Sequence, residues 1–523
     1  MITITANTAR AVAQAWARPL AAPLAMAALL LAPAARADWK FTPTLDLRQT
    51  YTDNVGLQPD AFARNQLVST IAPGLRVKHT GPRLVLNANY EYQYFHMTDK
   101  DIPGTARNAR VMDGDAKARL VDDLFYVDAS ASIQQRAISG FGPVSNNDYS
   151  NANKTEVKTW RVSPYLVHRF GSTANTELRY TRDSVDAGNL NRFGTSESDM
   201  LSFRLDSGPS FNTLAWGLQL SAQKIDYSLT NDSDIKTANA YLRYIVSPML
   251  SLTAGVGYDE FDYQALEGAA TRGNAWNAGF NWTPSRRTSL MASIGRRYFG
   301  PSRQLKALHR SRSTSWSISY DDSVSTTRDN FLQETAVSTA SLLDGFFAAE
   351  YPNPVERARA IETYIRAAGL PPTVGNDVNY LTNRFSLQKQ LRASMAYRQS
   401  RTGATVGLYR VRREALSVRE ADSALLGNAI NTLNDNVDQK GVTAALDYRL
   451  TARTKLSMIA DISHTASLVD DLRARSNALR FSARHQIRAR MVGTAEVRRV
   501  QGSVLGGQKY TENAVSATLS MQL

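Results

Sequence analysis

Cysteine is absent from all 523 residues, which excludes a disulfide framework, a thiolate nucleophile and a cysteine-ligated metal. Long apolar runs are lacking too. Beyond Asp38 no window approaches the ~20 consecutive apolar residues of a spanning helix, so no transmembrane helix is expected in the mature chain. Histidine is scarce, and the six present are scattered: His79, His96, His168, His309, His464 and His485. No HExxH, GxSxG or P-loop pattern occurs. No linker divides the chain, although its length would suit roughly three soluble domains.

Positive charge is what the sequence has in excess: 61 Lys and Arg stand against 47 Asp and Glu, a net +14. Such a balance directs attention to nucleic acid or to anionic surfaces. The first 37 residues argue against nucleic acid. Arg10 and Arg18 precede the apolar run PLAAPLAMAALLLAPAA, and Ala35-Arg36-Ala37 places small residues before Asp38. This reads as a secretory signal peptide, and a membrane anchor is the weaker reading because the strongly apolar part is short for a span.

The body of the chain alternates. In TANAYLRYIVSPMLSLTAGVGYDEFDY (237–263), Ala238, Ala240, Leu242, Tyr244 and Val246 are apolar at every second position, and Leu250, Leu252, Ala254, Val256 and Tyr258 resume the pattern after Ser-Pro-Met. Between them lie Asn239, Tyr241, Arg243, Ser251, Thr253, Gly255, Gly257 and Asp259. This is a hairpin with one apolar and one small, polar face. The same dyad pattern recurs in about 21 segments of roughly 10 to 16 residues, the length of tilted transmembrane strands. Connections alternate as well. Short links such as HTGPR (79–83), VDDL (121–124), VSPM (246–249) and TART (451–454) take turns with long polar ones such as 53–64, 139–153 and 417–439. Short periplasmic turns and long outer loops define an all-β, up-and-down transmembrane barrel of about 20 to 22 strands over 38–523, apolar face to lipid and polar face to a lumen. Trp39, Trp160, Phe170, Trp282 and Phe299, near strand ends, suit interfacial girdles.

Both barrel ends must be periplasmic, so the strand number must be even, and about 21 becomes roughly 20 or 22, with 22 favoured. Counted from either end, Ser311–Ser325 and Leu381–Arg398 both run downward, which places a missing upward strand in TTRDNFLQETAVSTA (326–340). Within the following insertion, about 341–372, NPVERARAIETYIRAAGLPP predicts the clearest helix: Asn353 caps it, Pro354 starts it, and Gly369, Pro371 and Pro372 end it. Arg357, Ala358, Ile361 and Ile365 would be its contact residues if it folds inward as a gate. Decoration of the barrel rim is the other reading.

The mature start ADWKFTPTLDLRQTYTDNVGL, together with YPNPVERARAIETYIRAAGLPP and NYLTNRFSLQKQLRASMAYRQSRTGA, resembles the outer-membrane β-barrel family associated with PEP-CTERM and exosortase systems. The resemblance spans essentially the whole mature chain. It implies a part in exopolysaccharide export or envelope organisation, and it carries over no catalytic or binding residue. Leu523 stands where a barrel commonly ends in Phe.

Catalysis is not expected, nor is a metal or cofactor. His96, His168, His464 and His485 follow the apolar phase near strand ends, and the pairs Asp122-Asp123 and Asp321-Asp322 fall at predicted turns. The lumenal phase is rich in arginine instead. Arg161, Arg179, Arg204, Arg243, Arg449, Arg480, Arg484 and Arg488 are candidate solute contacts, accompanied by Arg169, Glu177, Asp183, Asp206, Asp447, Asp461, Glu496 and Arg498. They either form a guanidinium-lined wall that favours anions or pair with the acids as braces. The sequence therefore predicts a monomeric outer-membrane barrel in contact with lipid and lipopolysaccharide, not nucleic acid. It would serve as a passage or docking site for an anionic exopolysaccharide, with periplasmic export proteins as partners. A structural barrel with a filled lumen and a general porin are the alternatives.

Overall fold

Residues that alternate every second position can satisfy two solvents at once, and the hairpin 237–263 shows the outcome. Leu252, Val256 and Tyr258 are exposed on the outer surface, whereas Gly255 and Asp259, in the opposite phase, are buried. The computed structural model describes residues 38–523 apart from 100–101, 146, 189–193, 230, 268–269, 333–336, 339–372, 375–381, 383, 419–435 and 504–506. The expected signal peptide and the expected gating helix, with Arg357, Ala358, Ile361 and Ile365, lie outside the described residues.

The first strands are β1 (Asp38–Thr52), β2 (Gln66–Thr80), β3 (Leu84–Met97), β4 (Asn108–Val121), β5 (Phe125–Ala137), β6 (Lys154–Phe170), β7 (Ala174–Asp186) and β8 (Thr195–Ser207). Next come β9 (Leu214–Tyr227), β10 (Ser233–Ser247), β11 (Leu250–Asp262), β12 (Arg272–Ser285), β13 (Thr288–Arg297), β14 (Gly300–Arg310) and β15 (Thr314–Ser325). A short helix α1 (Thr327–Leu332) and a two-residue pair, β16 (Val337–Ser338) with β17 (Thr373–Val374), precede the last group. That group is β18 (Ser386–Arg398), β19 (Thr402–Ala415), β20 (Val437–Arg449), β21 (Thr454–Ser467), β22 (Arg473–Arg488), β23 (Met491–Ser503) and β24 (Lys509–Gln522).

All but β16 and β17 form one antiparallel sheet of 22 strands. It closes because β1 pairs with β2 along one side and with β24 along the other, from Thr44 opposite Gln522 to Thr52 opposite Ala514. Closure leaves no row of unpaired backbone groups, the condition for a sheet in hydrocarbon. Both ends of the barrel chain share the rim of tight turns. Local chemistry makes those turns: Ser247 Oγ accepts from the N–H groups of Met249 and Leu250 at 3.3 and 3.1 Å, and Thr451 Oγ1 does the same for Arg453 and Thr454 at 3.2 and 3.0 Å. Gly171 and Asp123 supply left-handed backbone, at φ 57° and 58°.

The even count of 22 stands, but the missing strand is not where parity placed it. Thr327–Leu332 is helical, and β15 pairs directly and antiparallel with β18, so β15 runs upward. The strand overlooked is β14. It joins β13 at the long-loop rim through only Tyr298 and Phe299, with Arg297 opposite Gly300, whose φ of 114° accommodates the tight reversal. One short connection on the side of the long ones hid a strand. Asp321 and Asp322 also lie inside β15 rather than at a turn, with Asp322 accepting from Tyr320 Oη at 2.7 Å and from Arg303 N at 3.1 Å.

Candidate functional site

The lumen is shaped first by what crosses its outer mouth. The loop 138–153, between β5 and β6, reaches the wall formed by β20 to β24. Phe141 is buried against Val437 and Ala474, and Val144 N–H donates to Tyr510 Oη at 3.0 Å. Tyr149 lies beside a buried pair in which Arg498 donates to both carboxylate oxygens of Glu512 at 2.9 and 3.2 Å, and it also accepts from Arg498. Thr52 Oγ1 completes the set by donating to Glu512 at 2.8 Å. Gly502 sits opposite Tyr510 on the neighbouring strand, where a Cβ would stand 2.4 Å from the Tyr510 hydroxyl. The missing side chain lets the ring lie flat and aim at the loop. Burial is the main reason the Tyr149 phenol is pushed up to about 12.

A second inward element is α1. Arg328, nearly wholly buried, donates to Ser196 at 3.0 Å and pairs with Asp183, which also faces Arg161 at 3.9 Å. Phe331 packs on Val157, Val185 and Ala187. A third contact joins the connections after β11 and β19. Leu266 N donates to Leu416 O and Val418 N to Gln264 O, while Tyr263 stacks on Phe385 at 4.6 Å. The connections thus fold into the mouth and bind one another across it.

Below the mouth the lumenal wall has two characters. Around β5 to β9 Arg161, Arg179 and Arg204 are braces. Arg179 donates to Glu177 at 2.8 Å and Asp128 at 3.1 Å, with its guanidinium 3.7 Å from the Tyr165 ring centre. Arg204 donates to Asp206 at 2.6 Å, an acid that also accepts from Tyr241 Oη at 2.6 Å. Around β18 to β22 the balance changes. Arg480 is 3.6 Å from Glu496, but Arg449 has no ion pair among the described residues. Arg484 lies in the same lumenal phase, opposite Lys455. Arg243, across the barrel on β10, is exposed and likewise has no ion pair among the described residues.

At the tight-turn rim of the basic wall a cavity of about 380 Å³ is lined by Arg312, Arg398, Arg401, Arg449 and Lys455, with Asp447 as its single acid. The sequence reading found only Arg449 and Asp447 of these. The signal for the others was available: arginine recurs in successive short turns, RSRS (310–313) and RQSRTG (398–403). Arg488 does not join them. A register shift between Gln486 and Arg488 sets Arg488 opposite Met491, which in turn faces Met521 in the outward phase. The extra residue of the bulge turns the side chain out of the lumen.

The outward surface decides the setting. Leu252, Val256, Leu408, Leu446, Ile462, Phe481, Val497 and Val515 are exposed on successive strands of a closed sheet, with Trp39 stacked on His79 at 4.3 Å near its turn-bearing edge. A closed barrel with a continuous apolar belt is built for a lipid bilayer. The chain is an outer-membrane β-barrel. His168 stacks edge-on against Phe170 at 4.6 Å, and His485 contacts Thr454 at 2.9 Å, both at strand ends, as an interfacial role requires. Among the described residues no group of His, Asp and Glu could hold a metal.

No family model matches the sequence, and no curated protein does. Solved structures similar to the chain include the siderophore receptor PirA from Pseudomonas aeruginosa, at 10% identity and TM-score 0.45, over 93% of this chain and 81% of that one. The FrpB iron transporter from Neisseria meningitidis, F5-1 variant, is 9% identical with TM-score 0.47, over 92% and 82%. The siderophore receptor PirA from Acinetobacter baumannii is 8% identical with TM-score 0.45, over 92% and 80%. No residue role passes to this chain from likenesses of this depth.

Proposed function

We propose that this barrel engages an acidic exopolysaccharide from its periplasmic end, as a docking site or passage in polymer export, without catalysis. The observation that carries the reading is the cavity of Arg312, Arg398, Arg401, Arg449 and Lys455 around one acid. Guanidinium groups suit carboxylates because their donors match both oxygens. Of these, Arg312, Arg401 and Arg449 have no ion pair among the described residues, which leaves their donors for a solute. The resemblance to the PEP-CTERM-associated barrels supplies the polymer class, and the inward-folded loops supply a barrier at the outer mouth.

Planar bilayer recordings test this. Polyuronate added on the periplasmic side reduces the current of the wild-type barrel, neutral dextran of equal length does not, and replacing Arg312, Arg401 and Arg449 with Gln abolishes the difference. Equal block by both polymers overturns the reading. A barrel that conducts nothing, and gives no polyuronate binding by calorimetry, favours the alternative of a structural barrel, for which the crossed mouth is the supporting observation.

A further inference from the structure

The upper border of the apolar belt is charged all round, but not in the same way. On β4 and β6 to β11 each outward base at this border has an acid beside it. Arg110 pairs with Glu156 at 2.6 Å, Arg182 with Glu197 at 2.8 Å, Lys224 with Asp226 at 2.8 Å, and Lys236 with Glu260 at 3.9 Å. On β20 to β23 the outward bases are Lys440, Arg473, Arg475 and Arg499, all exposed, and none has an ion pair among the described residues. They belong to one patch. Lys440 is opposite His464, His464 opposite Arg475, and Ala466 opposite Arg473, while Arg499 stands on the next strand opposite Leu479. Arg475 approaches the His464 ring at 3.5 Å, so even the polar neighbour within the patch is not an acid.

The phase of these residues is that of Val442, Leu479 and Val497, exposed apolar side chains directly below them on the same strands. The patch therefore begins where the belt ends, on the long-loop side. Four strands set about 4.8 Å apart give it a width of about 14 Å. Four unpaired cations at an interface would repel one another unless an anion sits among them.

We propose that this face of β20 to β23 binds the phosphates of an outer-leaflet glycolipid of the lipopolysaccharide type, whose acyl chains lie on the belt below. The continuity with the belt selects a lipid; Asp438, the outward acid on β20, is taken up by Arg410, so the four bases keep an excess of positive charge that selects an anionic one. Arginine forks match phosphate oxygens, and a basic cluster at a membrane surface gains from each added charge.

The test uses the full barrel, extracted in detergent and reconstituted in nanodiscs containing lipopolysaccharide. Native mass spectrometry and phosphate analysis of the washed protein compare wild type with a variant carrying Lys440→Gln, Arg473→Gln, Arg475→Gln and Arg499→Gln. A control carries Lys224→Gln and Lys236→Gln on the opposite face. Retained lipopolysaccharide should fall by more than about tenfold in the first and stay unchanged in the control. Heat-modifiable migration reports that each variant is folded. If the quadruple variant does not fold, Arg475→Lys with Arg499→Lys keeps the charge and should retain most of the lipid. Equal retention by wild type and quadruple variant overturns the proposal, as does equal retention of enzymatically dephosphorylated lipopolysaccharide, which would reduce the contact to acyl chains.

Discussion

The walls on opposite sides of this barrel use the same residue, arginine, for different ends. Between β5 and β9 Arg179 has Asp128 and Glu177, Arg204 has Asp206, and Arg161 and Arg328 share Asp183. Between β18 and β22 basic groups gather at the periplasmic rim around Asp447 alone, and the outward border of β20 to β23 repeats the excess. Paired arginines brace a wall, because cross-strand charge pairs hold register. Arg449, and Lys440, Arg473, Arg475 and Arg499 on the outward border, have no ion pair among the described residues and leave their donors to a solute or a lipid. The difference teaches that what a lumenal arginine does depends on the acids that neighbouring strands bring within reach, not on the arginine itself.

The largest effect should come from breaking the braced wall. Asp183→Ala strands the buried Arg328 beside Arg161 and should cost about 3–5 kcal/mol, read as a lower urea midpoint of unfolding in lipid. Arg449→Ala on the basic wall should stay within about 0.5 kcal/mol. If the two cost the same, the distinction between the walls is wrong. The comparison also presumes a hydrated lumen, which Leu252 and Thr253 can check. Leu252→Arg on the lipid face should destabilise by about 2–4 kcal/mol near the midplane, and Thr253→Arg one residue along should be far milder.

A third variant separates the mouth from both walls. Gly502→Val drives a side chain into the Tyr510 ring and should cost about 1–3 kcal/mol through overpacking. It should also raise conductance by releasing Val144 and its loop; an unchanged conductance would show that another connection closes the mouth. The smallest effect is a pH dependence. Tyr149 holds its proton more tightly folded, at about 12, than the ordinary 10.0. The stability this gives the loop is complete below pH 10 and is lost as pH rises through about 12. Hydrogen exchange of 138–153 should therefore be flat from pH 7 to 10, after correction for the intrinsic rate, and accelerate above it. Acceleration starting well below pH 10 would assign the latch to a different group.

The barrel was legible because its physics is local: the dyad at 237–263 and the Ser247 and Thr451 turns depend on residues a few positions apart. Strand β14 was misread because Tyr298-Phe299 makes a tight turn on the side of the long loops. Arg488 was misplaced because a bulge of one residue inverts every phase beyond it. For Arg161, Arg179 and Arg204 the choice between brace and solute contact turned on acids reached from other strands, such as Asp128 for Arg179.

By itself the sequence determined the span length, the face that meets lipid and the even strand number, since alternation and turn chemistry act between neighbours in the chain. Only the tertiary structure decided that the loop 138–153 latches onto Arg498, Tyr510 and Glu512, that Arg328 of α1 seats on Asp183, and that Lys440, Arg475 and Arg499 meet on one outward face. The first two of these join residues 145 to 366 positions apart. No periodicity encodes such a meeting, because closure of the sheet, not the chain between them, brings the partners within reach.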